Sequence, residues 1–227
     1  MKILLSWSSG KDSAWALHVL QQDAPGAVAA LLTTVNEAYD RVAMHGVRSS
    51  VLRAQAEAAG LPLMTVPLPA PCSNQEYENR MAAAVRSALA DGFTHVAFGD
   101  LFLEDVRKYR EDRLRDTGLE PLFPLWGLPT GALAREMIGS GLQARITCLD
   151  PRVLNPGLAG RPFDAALLAE LPATVDPCGE RGEFHTCVLA GPMFSKTIDA
   201  RVGVTVERDG FVFADLALRD ALTSPRT

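Results

Sequence analysis

The chain has 227 residues, of which 48% are hydrophobic and 22% charged, with a net charge of −5. That size suits one large domain or two modest ones with a real core. No apolar run approaches the ~20 residues of a membrane helix, and the acidic balance argues against nucleic acid as a partner, because phosphate binding usually shows as a basic stripe.

The first half alternates strand and helix. Lys2–Trp7 is an apolar run that reads directly as a core strand, without the basic start and cleavage site of a signal peptide, so a cytoplasmic location is the default expectation. Asp12–Gln22 follows as a helix with Ala14, Leu17 and Leu20 on one face. Ala27–Val35 reads as a buried parallel strand, Arg48–Ala59 as a helix stopped at Gly60, and Leu61–Val66 as a third strand. Ser73 and Glu76 have capping-box spacing and open a helix that carries Tyr77, Met81, Val85 and Leu89 inward. Thr94–Phe98, a charge-rich helix over Leu103–Thr117 and a strand over Glu120–Leu125 complete the alternation. The pattern predicts an α/β fold: a Rossmann-like domain over residues 1–126 with a five-stranded parallel sheet and helices on both faces. After Trp126 the rhythm changes. A helix over Gly131–Ile138, a strand over Leu142–Leu149, and further strands near Phe184–Leu189, Val202–Glu207 and Phe211–Asp215 predict a smaller α+β unit over residues 127–227. Arg208-Asp209-Gly210 is the expected hairpin turn, and Thr223–Thr227 the expected loose end. The cysteines, Cys72, Cys148, Cys178 and Cys187, form no C-x-x-C pair, so neither zinc nor a thioredoxin-type centre is indicated.

Two segments carry chemistry. The turn Ser6-Trp7-Ser8-Ser9-Gly10-Lys11-Asp12-Ser13 joins the first strand to the first helix. It places free backbone N–H groups at the positive end of a helix, an arrangement that binds phosphate oxygens. It is not a Walker loop, because Lys11 is followed by Asp12, and it has one glycine where a dinucleotide fingerprint has three. If Ser9 needs a positive φ, it sits there at a cost. The second segment, Cys178-Gly179-Glu180-Arg181-Gly182-Glu183-Phe184-His185-Thr186, places two carboxylates and a histidine on a glycine-rich path. Glu180 and Glu183 could address a metal-bound phosphate or a reacting amine; equally, the segment could be a plain turn with solvated glutamates.

Ser8–Ser13 resembles the Ser-Gly-Gly-x-Asp-Ser signature of the PP-loop ATP pyrophosphatases, with Ser9 in place of the first glycine. The second segment resembles the Cys-Gly-Glu-Gly-Gly-Glu-Tyr/Phe-Glu-Thr signature of the diphthine–ammonia ligase family, a PP-loop branch. Asn36-Glu37, Met44-His45-Gly46, Leu119-Glu120-Pro121-Leu122, Leu125-Trp126, Leu133–Ile138 and Gly191-Pro192-Met193-Phe194 are similar to further elements of that family, in order along most of the chain. The resemblance implies an adenine nucleotide alpha-hydrolase domain followed by a family-specific C-terminal domain. It also implies a reaction: ATP adenylates the carboxylate of diphthine, a modified histidine on a translation elongation factor, and ammonia displaces AMP to leave an amide.

On that basis Ser6, Ser8, Ser9, Gly10, Lys11, Asp12, Ser13, Asn36 and Gly99 are expected at the nucleotide, with Asp12 on Mg²⁺. Lys11, Asp12, Glu180 and Glu183 are the expected catalytic set. His45, Asp100, Glu104, Arg107, Gly182 and His185 are expected on the substrate side. The plainer alternatives stay open: Asp12 complementing a helix dipole, Arg107 pairing with Glu104 or Glu111, His185 as a satisfied structural residue. The expected partners are ATP, a small-molecule or protein-borne carboxylate, and ammonia or an amine; self-association into a homo-oligomer is left open. Arg181 and His185 replace a glycine and a glutamate of the signature, and Leu103–Arg107 departs from the family's Ser-Asp-Tyr-Gln-Arg. The Ala-, Leu- and Arg-rich usage reads as bacterial, and bacteria are not expected to make diphthamide, so the acceptor can differ while the ATP chemistry is kept. Two other readings compete: an RNA-modifying PP-loop transferase, and a nucleotide-binding regulatory protein without turnover.

Overall fold

In chain order the elements are β1 (Ile3–Ser6), α1 (Lys11–Asp23), β2 (Val28–Asn36), β3 (Arg41–Val42), α2 (Ser49–Ala59), β4 (Leu63–Leu68), α3 (Asn74–Ala90), β5 (His95–Ala97), α4 (Glu104–Leu114) and β6 (Glu120–Leu122), then α5 (Thr130–Gly139), β7 (Gln143–Leu149), α6 (Ala165–Glu170), β8 (Phe184–Ala190), β9 (Ala200–Arg208) and β10 (Phe211–Leu218). They come from a computed structural model that describes residues 1–219. The loose end expected at Thr223–Thr227 lies outside the described residues.

Five parallel strands run in the order β4-β2-β1-β5-β6. The two-residue β3, which the sequence did not signal, adds an antiparallel rung where β2 outruns β1. The chain builds outward from β1 to β2 and β4, then returns across β1 to lay down β5 and β6. The order therefore reverses between β1 and β5, and a crevice opens there beyond the carboxyl ends of the strands. Alternation along β1 sends Ile3, Leu5 and Trp7 into one buried cluster and Leu4 into another, so both faces of the sheet are covered.

Helix ends follow local rules. Gly60 closes α2 with φ 68°, and Ser73 Oγ accepts from Glu76 N–H at the start of α3. Only half of the capping box forms, because the Glu76 carboxylate turns to Arg80.

The second sheet is antiparallel, in the order β8-β7-β10-β9. Asp209 and Gly210, both with positive φ, make the β9–β10 turn. One hydrophobic cluster joins the two sheets: Leu5 of β1, Trp7 just after it, and Val51 and Leu52 of α2 belong to the same packed group as Ile146, Val188 and Leu216. At the periphery of this seam Asp215 of β10 accepts from Arg41 of β3 and from Arg48 at the start of α2 at 2.6–2.9 Å.

Partial burial would raise the Asp215 pKa, but hydrogen bonds from Arg48 and then Arg41 override it and hold the carboxyl below its ordinary value. Asp215→Asn is expected to cost about 1–2 kcal/mol near pH 7, read by denaturant unfolding. A lowered folded-state pKa stabilises above the unfolded value and is lost as pH falls through the folded one. The gap between wild type and variant should therefore hold from about pH 7 down to about pH 5 and shrink below that, as pH falls past the unfolded value toward the folded one.

Candidate active site

The β1–α1 turn lies at the crevice and is tightly constructed. Gly10 is the N-cap residue of α1, in extended conformation and without a side-chain cap. Ser9 adopts φ 70° and is fully buried, its Oγ lacking a hydrogen-bonding partner among the described residues. The positive φ considered at Ser9 is thus present. Hydroxyls take several of the turn's amides: Ser8 N–H donates to Ser13 Oγ (3.3 Å), Gly10 N–H to Ser8 Oγ (3.3 Å) and Lys11 N–H to Thr186 Oγ1 (3.1 Å). An anion would have to displace these hydroxyls to reach the amides of this cradle. Gly99, after β5, packs so closely on α1 that an added Cβ would lie 2.8 Å from the Asp12 carbonyl carbon. That contact draws the two sides of the switch point together.

Lys11 is 2% exposed. Its ammonium bonds both Asp12 carboxylate oxygens, at 2.9 and 2.8 Å, and the Cys178 carbonyl. Burial disfavours its charge, but Asp12, Cys178 and Glu180 together, with Asp12 foremost among them, hold the Lys11 pKa above its ordinary value. The expectation of a charge partner pointing at phosphate is corrected in this respect: the ammonium ties the turn to the second segment.

That segment is folded around Asp176, whose carboxylate accepts from Cys178 N–H and Glu180 N–H. Gly179 (φ 68°) and Gly182 (φ 85°) make the reversals, and a Cβ on Gly179 would lie 2.7 Å from the Phe184 carbonyl. The two glutamates part company here. Glu183 is buried and turned into its own loop, accepting from Asp176 N–H and Arg181 N–H. It does not line the crevice, so its place in the expected catalytic set is corrected to that of a brace. Glu180 does face the crevice and accepts from Leu101 N–H at 2.8 Å. Burial pushes its pKa up to about 7, with Asp12 and Asp100 nearby adding to the effect and the Leu101 bond opposing it.

The resulting chamber has a volume of about 430 Å³. Ser6, Ser8, Lys11, Asp12, Ser13, His45, Gly99, Asp100, Glu180 and His185 of the expected set line it, joined by Arg110 and Thr186. Asp100 is paired with Arg110 (3.0 Å for the longer of two bonds), and the guanidinium lies over the Phe98 ring. The His45 and His185 rings lie against each other, tilted by 39° with centroids 4.6 Å apart, and His45 Nδ1 donates to the Thr186 carbonyl. Burial lowers both, His45 to about 3 and His185 to about 4, so both are neutral at pH 7. A second cavity, about 370 Å³, extends from the chamber under α3 between Leu4, Trp7, Leu32, Tyr77, Met81 and Val85.

Besides Glu183, six expected residues do not line the chamber: Ser9 and Gly10, both buried in the turn, and four that stand elsewhere. Arg107 pairs with Glu111 and stacks on Phe123 and Trp126, away from the chamber. Glu104 lies in the first turn of α4, outside the chamber wall, and is exposed. Gly182 serves the loop reversal. Asn36 caps its own turn through Ala38 N–H and borders a third cavity, which shares Met44 and His185 with the chamber. The sequence reading missed Arg110, one turn beyond Arg107, and Asp176, whose signal is an aspartate two residues ahead of Cys178-Gly179. It also missed Gln55.

A family model described as the diphthamide synthase N-terminal domain matches residues 1–121, and one described as the diphthamide synthase C-terminal domain matches residues 129–213. The chain is similar to a diphthine–ammonia ligase of Bos taurus, 27% identical over 254 residues, covering 98% of this chain and 94% of the relative. It is similar to its Homo sapiens counterpart, 27% identical over 256 residues, covering 99% and 95%.

Ser9→Gly removes both a left-handed side chain and a buried hydroxyl, against a larger entropy loss on folding. A net gain of about 1 kcal/mol is expected, seen as a melting temperature roughly 2–4 °C higher.

Proposed function

The chain belongs to the diphthamide synthase family, and from that premise we propose that it is an ATP-dependent, AMP-forming carbon–nitrogen ligase that adenylates a carboxylate and transfers the acyl group to ammonia or an amine. The relatives are diphthine–ammonia ligases, so diphthine and ammonia are the first substrates to try. The observation that carries the reading is the meeting, in one chamber, of an α-helix N-terminus able to hold pyrophosphate and a half-buried carboxylate whose pKa lies near 7.

In this reading the adenosine enters the apolar cavity under α3. The pyrophosphate leans on the Ser8 and Gly10 amides, which now donate to the Ser13 and Ser8 hydroxyls, and on the Ser13 hydroxyl, which now donates to the Gly10 carbonyl. Arg110 stands ready to meet phosphate charge at the exchange of Asp100. The acceptor carboxylate attacks the α-phosphorus in line, and pyrophosphate leaves. The amine then attacks the acyl carbon and AMP leaves. Glu180 takes the proton that the amine must lose, as its pKa suits a group ionised for about half the time at neutral pH. The neutral His45 and His185 offer hydrogen bonds without charge.

Mg²⁺ fits this donor set through Asp12. The ion usually binds one or two carboxylates, with phosphates and waters filling the rest, so a protein cluster of three donors is not required. Bound there, it would neutralise phosphate charge.

The test is release of AMP and pyrophosphate from ATP with a carboxylate and ammonia. Glu180→Gln is expected to bind ATP normally while kcat falls about 100-fold or more. Glu180 works ionised, so wild-type kcat should rise with pH through about 7, and that limb should vanish in the variant. Normal turnover by Glu180→Gln would reduce the second segment to a turn. ATP binding with no turnover on any carboxylate would favour a regulatory protein.

A further inference from the structure

Gln55 projects from the middle of α2, far from the two segments in sequence, and is 0% exposed. All its polar atoms are engaged. Oε1 accepts from Trp7 Nε1 (3.0 Å); Nε2 donates to the Ser9 carbonyl (3.1 Å) and the Val188 carbonyl (2.8 Å). The Ser9 carbonyl receives a second bond from Val188 N–H (3.0 Å). Two donors, one from α2 and one from β8, therefore pull this single oxygen toward the core between the sheets.

A trans peptide points its C=O and the next N–H in opposite directions, and the only cis bond among the described residues is Ala70–Pro71. Fixing the Ser9 carbonyl therefore fixes the Gly10 N–H on the other side. There it donates to Ser8 Oγ, a hydroxyl on the chamber wall. Reversal of this peptide would aim a carbonyl dipole at the cradle and repel phosphate. The turn is open to such a change, because Ser9 already holds a left-handed conformation that a side chain disfavours.

We infer that Gln55 is a positioning residue that locks the Ser9–Gly10 peptide plane so that the Gly10 N–H faces the phosphate site. It does not touch the nucleotide; it acts through the Ser9 carbonyl. The inference rests on the nucleotide reading above and adds to it the group that orients the cradle. The same amide couples the cradle to β8, so the second sheet sets the direction of a donor in the first domain.

Three variants and one measurement test it. Gln55→Met keeps the length and loses the donor. Gln55→Glu keeps an acceptor for Trp7 but sets an oxygen against the Ser9 carbonyl. Leu52→Ala, on the same helix and buried away from the chamber, matches the loss of stability. The readouts are calorimetric affinity for inorganic pyrophosphate and for ATP, with melting curves to confirm folding. The Gln55 variants should bind each ligand at least tenfold more weakly, and Leu52→Ala within about twofold of wild type. In the wild type, whose folding is not in question, the Gly10 amide proton should shift downfield in NMR spectra on titration with pyrophosphate. A folded Gln55→Met that binds within twofold of wild type overturns the lock while leaving the nucleotide reading intact. So does a Gly10 amide that does not respond while pyrophosphate binds. Wild type that binds neither ligand overturns both.

Discussion

Lys11 sits where no ion survives alone, so its three ammonium hydrogens must all be matched, and two Asp12 oxygens and the Cys178 carbonyl match them. Losing any one partner would leave a charge stranded in an apolar setting that includes the Phe163 and Phe184 rings. The ion pair is thus possible only when the loop after α6 is closed against the first turn of α1. Lys11 N–H on Thr186 Oγ1 and Val188 N–H on the Ser9 carbonyl repeat the same contact along β8. The two sequence segments that carry chemistry are therefore one piece of structure, about 170 residues apart in the chain.

The topology explains why the site lies there and not elsewhere. Only at the β1–β5 boundary do successive connections leave the sheet in opposite directions. Gly99 allows those connections to touch, and the charges that collect there offset one another: Asp100 against Arg110, Asp12 against Lys11. Among the described residues Glu180 is the carboxylate on the wall that forms no ion pair, and burial moves its pKa to about 7. No helix among the described residues is long and apolar enough to cross a membrane.

Periodicity made the parallel sheet legible, because strands buried on both faces are continuous apolar runs such as Ala27–Val35. It could not show β3, two residues long and half polar, nor the order β8-β7-β10-β9, which is settled by contacts distant in sequence. Spacing grouped Glu180 with Glu183. Gly179 and Gly182 reverse the chain between them, so that three residues of separation become opposite directions. Arg107 and Arg110 share a helix and a chemistry; Asp100 selects the second, while Phe123 and Trp126 hold the first aside. Gln55 carried no sequence signal, since a buried glutamine within a regular helix looks like any surface glutamine until the surrounding backbone is known.

Among the residues of the long helix α3, only Ala88 is fully buried. Its inward side chains Tyr77, Met81 and Val85 pack only in part against the sheet and also line the second cavity. A helix in that position is a roof resting on its gables, and its apolar lining has solvation free energy still to gain. In the reading proposed above, an adenine ring seated beneath it would add to that packing. Occupancy and order of the roof are then thermodynamically one event: the guest is held more tightly because it supplies the packing the helix lacks, and the helix is quieted by the same amount.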